Sequence, residues 1–201
     1  MRSDRRTAVA IVGGGASGTI LAAQLARRGI RSILIDGSGR MGRGVAYSTT
    51  EPAHLLNVRA EGMSALAGEP DHFAKAYEAE GGDRRGFAQR RFFARYLGDI
   101  LDGAVAGGCA EPVEATAVGA TRADSGWRLD FDDGSSAEAD ALVLAIGNQE
   151  PEPLRAFAGV GGRFVRNPWG ADARAAVADL AETGEAALLV GDGRNDMQRY
   201  T

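Results

Sequence analysis

The chain carries one cysteine, Cys109, and one lysine, Lys75, among its 201 residues. A single thiol forms no internal disulfide and no cysteine-based metal site, and it suits a reducing cytoplasm. Histidine is almost as scarce. His54 and His72 stand in unrelated segments, so no Ser/His/Asp arrangement and no metal constellation can be built, and no catalytic residue is assigned. An isolated histidine is by default a surface or satisfied polar group. Long apolar runs are missing too: none approaches the ~20 residues that a membrane span requires. Three arginines precede Thr7, but no signal-type apolar core follows them. A surplus of positive charge is also absent. The net charge is −4 and the pI near 5.3, which argues against a general nucleic-acid binder. What remains is an ordinary globular composition, 44% hydrophobic and 25% charged, of a size for one domain or slightly more.

The pattern along the chain is α/β. Residues 8–12 (AVAIV) form a β-branched run that ends in glycines and reads as a buried strand. Residues 17–28 read as a helix with an apolar face of Ile20, Leu21 and Leu25. Arg27 and Arg28 complement its dipole, and Gly29 supplies a left-handed cap. Residues 32–36 (SILID) read as a second buried strand, so the three elements make a parallel βαβ unit.

Residues 37–70 show no strong period and read as a long functional loop with room for one short helix. Helices are expected over 71–80 and 87–101. The second carries the stripe Phe92, Phe93, Tyr96, Leu97, Ile100 and Leu101, which faces a core. Residues 113–122 and 127–131 read as antiparallel strands, and Asp132-Asp133-Gly134 as a turn. Residues 141–146 (ALVLAI) read as a central parallel strand. A Pro- and Gly-marked loop follows over 151–162. After it come a helical face at Ala173, Ala176, Val177, Leu180 and Ala181, closed by Gly184, and a last strand over 186–190.

Chemistry enters at Gly13-Gly14-Gly15-Ala16-Ser17-Gly18, a G-x-G-x-x-G between strand and helix. Gly13 permits the tight turn, Gly15 lets a pyrophosphate approach the backbone, and Gly18 lets the helix pack closely. The N–H groups around Ala16 and Ser17 face the phosphates with the positive end of the helix dipole. Asp36 ends the second strand, placed to accept from both ribose hydroxyls and to disfavour a 2′-phosphate. The cofactor is therefore FAD or NAD at this loop. The antiparallel excursion before residues 141–146 resembles the β-meander inserted in FAD domains of the glutathione-reductase type, and it points to FAD. ALVLAIG is similar to the Ala-Thr-Gly signature of that group, with Ile146 in place of the threonine. There Ala145 and Gly147 would bring backbone close to the flavin side.

The strings GRGVAYSTTEPAHLLNVRAEGMS, RRFFARYL, ADALVLAIGNQEPEP and NPWG resemble the FAD/NAD(P)-binding domain family typified by bacterial FAD-dependent urate hydroxylase. The resemblance implies a Rossmann-like parallel sheet with an inserted antiparallel meander. It also implies FAD at the first glycine loop and NAD(P)H as electron donor. Gly44, Ala46, Tyr47, Leu56, Asn57 and Met63 would line the flavin side. Arg91 would face phosphates or substrate, and the Val118 backbone would meet adenine.

ALLVGDGRNDM resembles the start of a second glycine loop. On that reading residues 1–185 form the FAD domain and 186–201 open a truncated second nucleotide unit; on the other, Asp192 belongs to a closing FAD motif. The expected partners are a small-molecule cofactor and substrate, with no nucleic acid and no membrane. The expected function is that of an FAD-binding oxidoreductase resembling a flavin-dependent monooxygenase. The alternatives are a dinucleotide-binding module without turnover or an inactive fragment, and a plain NAD-dependent dehydrogenase.

Overall fold

The computed structural model describes residues 7–148, 164–168 and 170–188. They divide between two compact units, Met1–Gly147 and Asn148–Thr201. In the first unit the order is β1 (Thr7–Val12), α1 (Ala16–Ala26), β2 (Ser32–Ile35), α2 (Gly44–Tyr47), a 3-10 turn (Ala60–Gly62), α3 (His72–Ala79), α4 (Arg90–Ala106), β3 (Ala110–Val113), β4 (Ala117–Ala123), β5 (Gly126–Phe131) and β6 (Ser136–Leu144). The strands form one six-stranded sheet in the order β3-β2-β1-β6-β5-β4. Strands β3, β2, β1 and β6 run parallel, while β4, β5 and β6 are antiparallel neighbours. This is the expected Rossmann-like sheet with an antiparallel insertion.

Two strand assignments change. Residues 113–122 are not one strand. Val113 closes β3, parallel to β2, and the chain resumes as β4 at Ala117. Strand β3 is short and contains Pro112, which lacks an N–H; it is tolerated because β3 lies at the sheet edge. Strand β6 begins at Ser136, five residues before the apolar run. Its Ala139 pairs with Thr7 in parallel and with Trp127 antiparallel. One strand therefore joins both halves of the sheet. Its first half alternates small and acidic residues, the period of a half-buried strand. The apolar run is not continuously buried: Leu144 is 65% exposed and Ile146 55%.

Three apolar clusters hold the unit. On one sheet face, Leu129 and Phe131 of the ribbon pack with Ala10, Ile33, Ile35 and Val113. On the other, Ile11 and Leu34 meet Ala22 of α1 and Leu101 and Ala104 of α4. Helix α1 buries its small side, Gly18, Thr19, Ala22 and Ala23, leaving Ile20, Leu21 and Leu25 half-buried. Small residues let the helix axis approach the sheet. The helix ends in a Schellman arrangement: the N–H of Ile30 donates to Leu25 O at 3.0 Å, that of Gly29 to Ala26 O at 2.9 Å, and Gly29 has φ +69°. Arg27 caps the helix and Arg28 lies past it, yet Arg28 Nη1 still donates to Gln24 O at 2.8 Å.

The third cluster is aromatic. Helix α4 starts at Arg90, not at Phe87, which is 47% exposed, and it continues to Ala106. Phe93 and Tyr96 are buried, and Phe73 of α3 packs edge-on against both at 5.0 Å between centroids. Such pairs contribute about 0.5–1.5 kcal/mol each beyond area burial. The stripe is core, as its spacing predicts, and it anchors the loops of residues 47–65.

In the second unit, α5 (Ala171–Thr183) ends at Gly184 in the left-handed conformation, whose N–H donates to Leu180 O at 2.9 Å. Ala173, Ala176 and Leu180 are half-buried, whereas Val177 and Ala181 are exposed. Of the strand expected over 186–190, the described residues Ala186–Leu188 are not in strand conformation. Leu189, Val190, the Gly191-Asp192-Gly193 motif and the loop at 151–162 lie outside the described residues.

Candidate dinucleotide site

The glycine loop joins the carboxyl end of β1 to α1, where ligands bind in open α/β sheets. Gly13 has φ +107°, and a Cβ on it would fall 2.2 Å from Ala145 O. The loop thus turns directly against the end of β6, and the Ala145 N–H donates to Val12 O at 2.7 Å. A Cβ on Gly18 would fall 1.9 Å from Gly13 O, so the helix approach predicted for this residue is real. Gly15 caps α1 with no side-chain bond, and the first turn holds no acid. The first helical bond is from Thr19 N–H to Gly15 O at 3.0 Å. The N–H groups of Ala16, Ser17 and Gly18 therefore stand outside the helical ladder, a cradle for an anion.

Asp36 follows β2 directly. Its Oδ2 accepts the N–H of Gly14 at 2.8 Å, and its Oδ1 accepts the N–H of Ser38 at 2.7 Å together with the Ser38 hydroxyl. The Gly14 carbonyl in turn accepts the N–H of Gly42 at 2.7 Å. The N–H groups of Arg43 and Gly44 both reach Arg40 O at 3.0 Å, which coils the chain into α2. Gly44 has φ +60°, and a Cβ on it would meet Gly15 Cα at 3.1 Å. Gly13, Gly15, Ala16, Ser17, Gly18, Asp36, Gly44 and the backbone of Ala145 are thus brought together. Gly14, Ser38 and Gly42 belong to the same assembly. For Ser38 the D-G-S string was a sequence signal, a turn in which an aspartate bonds backbone two residues on.

The flavin-side candidates separate. Ala46 and Tyr47 lie on α2. The Ala46 carbonyl accepts from Arg90 Nη1 at 3.4 Å, and Tyr47 packs on Phe93 at 4.9 Å. Burial pushes the Tyr47 phenol above the usual tyrosine range, with Arg90 pulling the other way. Leu56 is 4% exposed and Met63 half-buried, both in the aromatic cluster. Asn57 is exposed. Gly147 is exposed with φ +69°.

Arg91 is exposed and donates from Nε to Gln89 Oε1 at 2.6 Å. Its neighbour Arg90 makes the longer reach: Nε to Leu55 O at 3.0 Å, and its N–H to His54 O at 2.8 Å. Val118 is 65% exposed on β4, apart from the glycine loop in the strand order.

The histidines are both engaged. Nδ1 of His54 is 2.6 Å from Thr49 Oγ1, and Nδ1 of His72 is 2.9 Å from Tyr96 Oη. Cys109 is half-buried, and its carbonyl accepts the Ser32 N–H at 2.9 Å. A cavity of about 380 Å³ is lined by Thr7, Arg31, Ser32, Cys109 and Glu111. It opens at the amino ends of β1, β2 and β3, opposite the glycine loop, so its position disagrees with the chemistry of the loop, and the loop is the better candidate. Among the described residues no three His, Cys, Asp or Glu side chains gather to hold a metal ion, and no helix is long and apolar enough to cross a membrane.

Residues 10–149 match the FAD-NAD(P)-binding family. No curated protein matches the sequence. Solved structures with a similar fold include an oxidised steroid monooxygenase bound to NADP (19% identity, TM-score 0.57, 75% of this chain and 28% of that one). Others are the closed form of cyclohexanone monooxygenase (15%, 0.56, 76% and 28%) and OTEMO in complex with FAD and NADP (16%, 0.53, 73% and 27%). At these identities the likeness is one of fold. The chain spans little more than a quarter of the length of those proteins.

Proposed function

The chain belongs to the FAD-NAD(P)-binding family, and from that premise we propose that it holds FAD for a flavin-dependent oxidoreductase of the monooxygenase kind. The observation that carries the reading is the cradle of Gly13, Gly15 and Gly18 latched to Asp36, followed by an antiparallel ribbon that resembles the meander of FAD domains. The cradle fits a dinucleotide. Its glycines let loop, helix and the end of β6 close on one another without a Cβ between them, and the first turn of α1, whose N–H groups would meet a pyrophosphate, holds no acidic residue.

In this reading the pyrophosphate lies against Gly15 and the N–H groups of Ala16, Ser17 and Gly18. Asp36 receives the adenosine ribose, and its negative charge turns away a 2′-phosphate. The backbone of Val118 meets the adenine. Gly44, Ala46, Tyr47, Asn57, Ala145 and Gly147 border the flavin side, with Leu56 and Met63 supporting it from the core. Arg91, exposed and bonded to Gln89, faces phosphate or substrate.

Bound FAD would supply the redox chemistry, taking hydride from NAD(P)H and passing electrons to oxygen or a small organic substrate. The protein's own part is to bind, orient and exclude water. The narrower likeness to bacterial urate hydroxylases, the assignment of 1–185 to the FAD unit and of 186–201 to the start of a further nucleotide unit or a closing strand, and a cytoplasmic location belong to the same proposal.

The visible spectrum of the purified chain, with and without added FAD, tests it. A bound flavin absorbance that NAD(P)H bleaches is the expected result. A colourless protein that takes up no FAD overturns the cofactor. Flavin that binds but is not reduced marks a binding module without turnover.

A further inference from the structure

Asp36 has less capacity for a ribose than its position suggests. A carboxylate offers about four lone-pair sites. Three are filled from within the chain: Oδ2 by the Gly14 N–H, Oδ1 by the N–H and the hydroxyl of Ser38. The hydroxyl has a single proton, spent on Asp36, while its oxygen accepts the Arg40 N–H at 3.3 Å. The turn is also wedged from behind, because a Cβ on Gly37 would fall 2.3 Å from Thr116 Oγ1. One acceptor site is left, on Oδ2, beside the glycine loop.

We propose that Asp36 holds one ribose hydroxyl of the adenosine and not two, and that Ser38, by filling Oδ1, is the positioning residue that sets this choice. The proposal rests on the dinucleotide reading above. A diol held at one oxygen only is discriminated at one hydroxyl only. Removing the Ser38 hydroxyl reopens a site on Oδ1, and the second hydroxyl then gains a partner.

ADP, 2′-deoxy-ADP and 3′-deoxy-ADP, each competed against FAD, read this directly. In the unaltered chain one deoxy compound binds about tenfold weaker than ADP, the size of one charge-assisted hydrogen bond, and the other binds like ADP. In Ser38→Ala both deoxy compounds bind weaker than ADP, and Ser38→Thr returns the original pattern. A purely structural loss would weaken all three ligands alike and leave their ratios unchanged, which overturns the proposal. So does an unaltered chain that discriminates against both deoxy compounds or against neither. A chain that binds FAD keeps the dinucleotide reading standing in each of these cases; a chain that binds neither FAD nor ADP removes that reading and this inference with it.

Discussion

The backbone N–H of Gly14 donates to Asp36 Oδ2 at 2.8 Å, so the middle of the glycine loop is tied to the end of the neighbouring strand. The bond gives Asp36 a second task besides the ribose. Gly14 is buried, and its N–H without a partner would cost about 1–3 kcal/mol. Asp36→Ala is expected to lower both unfolding stability by that amount and FAD affinity by tenfold or more. Asp36→Asn keeps an acceptor for Gly14 and should spare much of the stability while still weakening FAD. Thermal melts beside FAD titrations separate the two effects. Unchanged FAD affinity in Asp36→Ala would remove the ribose role.

Glycine positions divide by what surrounds them. A Cβ at Gly18 or Gly13 would fall on backbone, at 1.9 Å from Gly13 O and 2.2 Å from Ala145 O. Each alanine substitution there should cost more than ~3 kcal/mol, because helix or strand must move. Gly29 has φ +69° with nothing within 4 Å. Gly29→Ala should cost only the left-handed strain, about 1–2 kcal/mol. Urea unfolding midpoints of the three variants give the comparison.

Arg90 and Arg91 are adjacent but differ in their bonds. Arg90 ties α2 and the Leu55 segment to the start of α4. Arg90→Ala should loosen residues 46–55, seen as faster hydrogen exchange there and weaker FAD binding. Arg91→Ala should leave stability within about 0.5 kcal/mol, as for surface positions. A fall in FAD or substrate affinity at unchanged stability would support its reach into the site; unchanged affinity would place it on the surface alone.

Tyr96 is 3% exposed, and burial raises its phenol above the usual range, against the opposing pull of bonds at Ala65 and Ser64. The folded chain then holds its proton where the unfolded chain releases it. Stability is full below pH ~10, the ordinary tyrosine value, and falls as pH rises through the folded value. Urea midpoints at pH 8 and at pH above ~10 should show this loss. Tyr96→Phe should be less stable at pH 8, because the Ala65 N–H loses its acceptor, but less sensitive to alkali.

Phe73 is fully buried at the centre of the aromatic cluster. Phe73→Ala should cost about 3–5 kcal/mol. It should also free α3 and the loops of residues 47–65, with FAD affinity falling as a secondary effect. A loss near 1 kcal/mol in equilibrium unfolding would mean that the neighbouring rings close the gap.

Local pattern was enough for the βαβ start. The β-branched run, the glycine spacing and Asp36 are short-range signals, and each depends on sterics within a few residues. The stripe of α4 and the Asp132-Asp133-Gly134 turn between β5 and β6 were readable for the same reason. Three things required the folded chain. Strand β3 is four residues with a proline, and only pairing with β2 at the sheet edge makes it a strand. Ala139 serves two strands at once, a choice made by neighbours distant in sequence. The latch of Gly14, Asp36, Ser38 and Gly42 joins segments that share no period. The sequence determined where backbone must be bare and where a carboxylate must stand, because glycine sterics and strand ends are local. Tertiary structure decided that the Gly14 N–H reaches that carboxylate, because a hydrogen bond between distant segments depends on how the strand end and the loops come together.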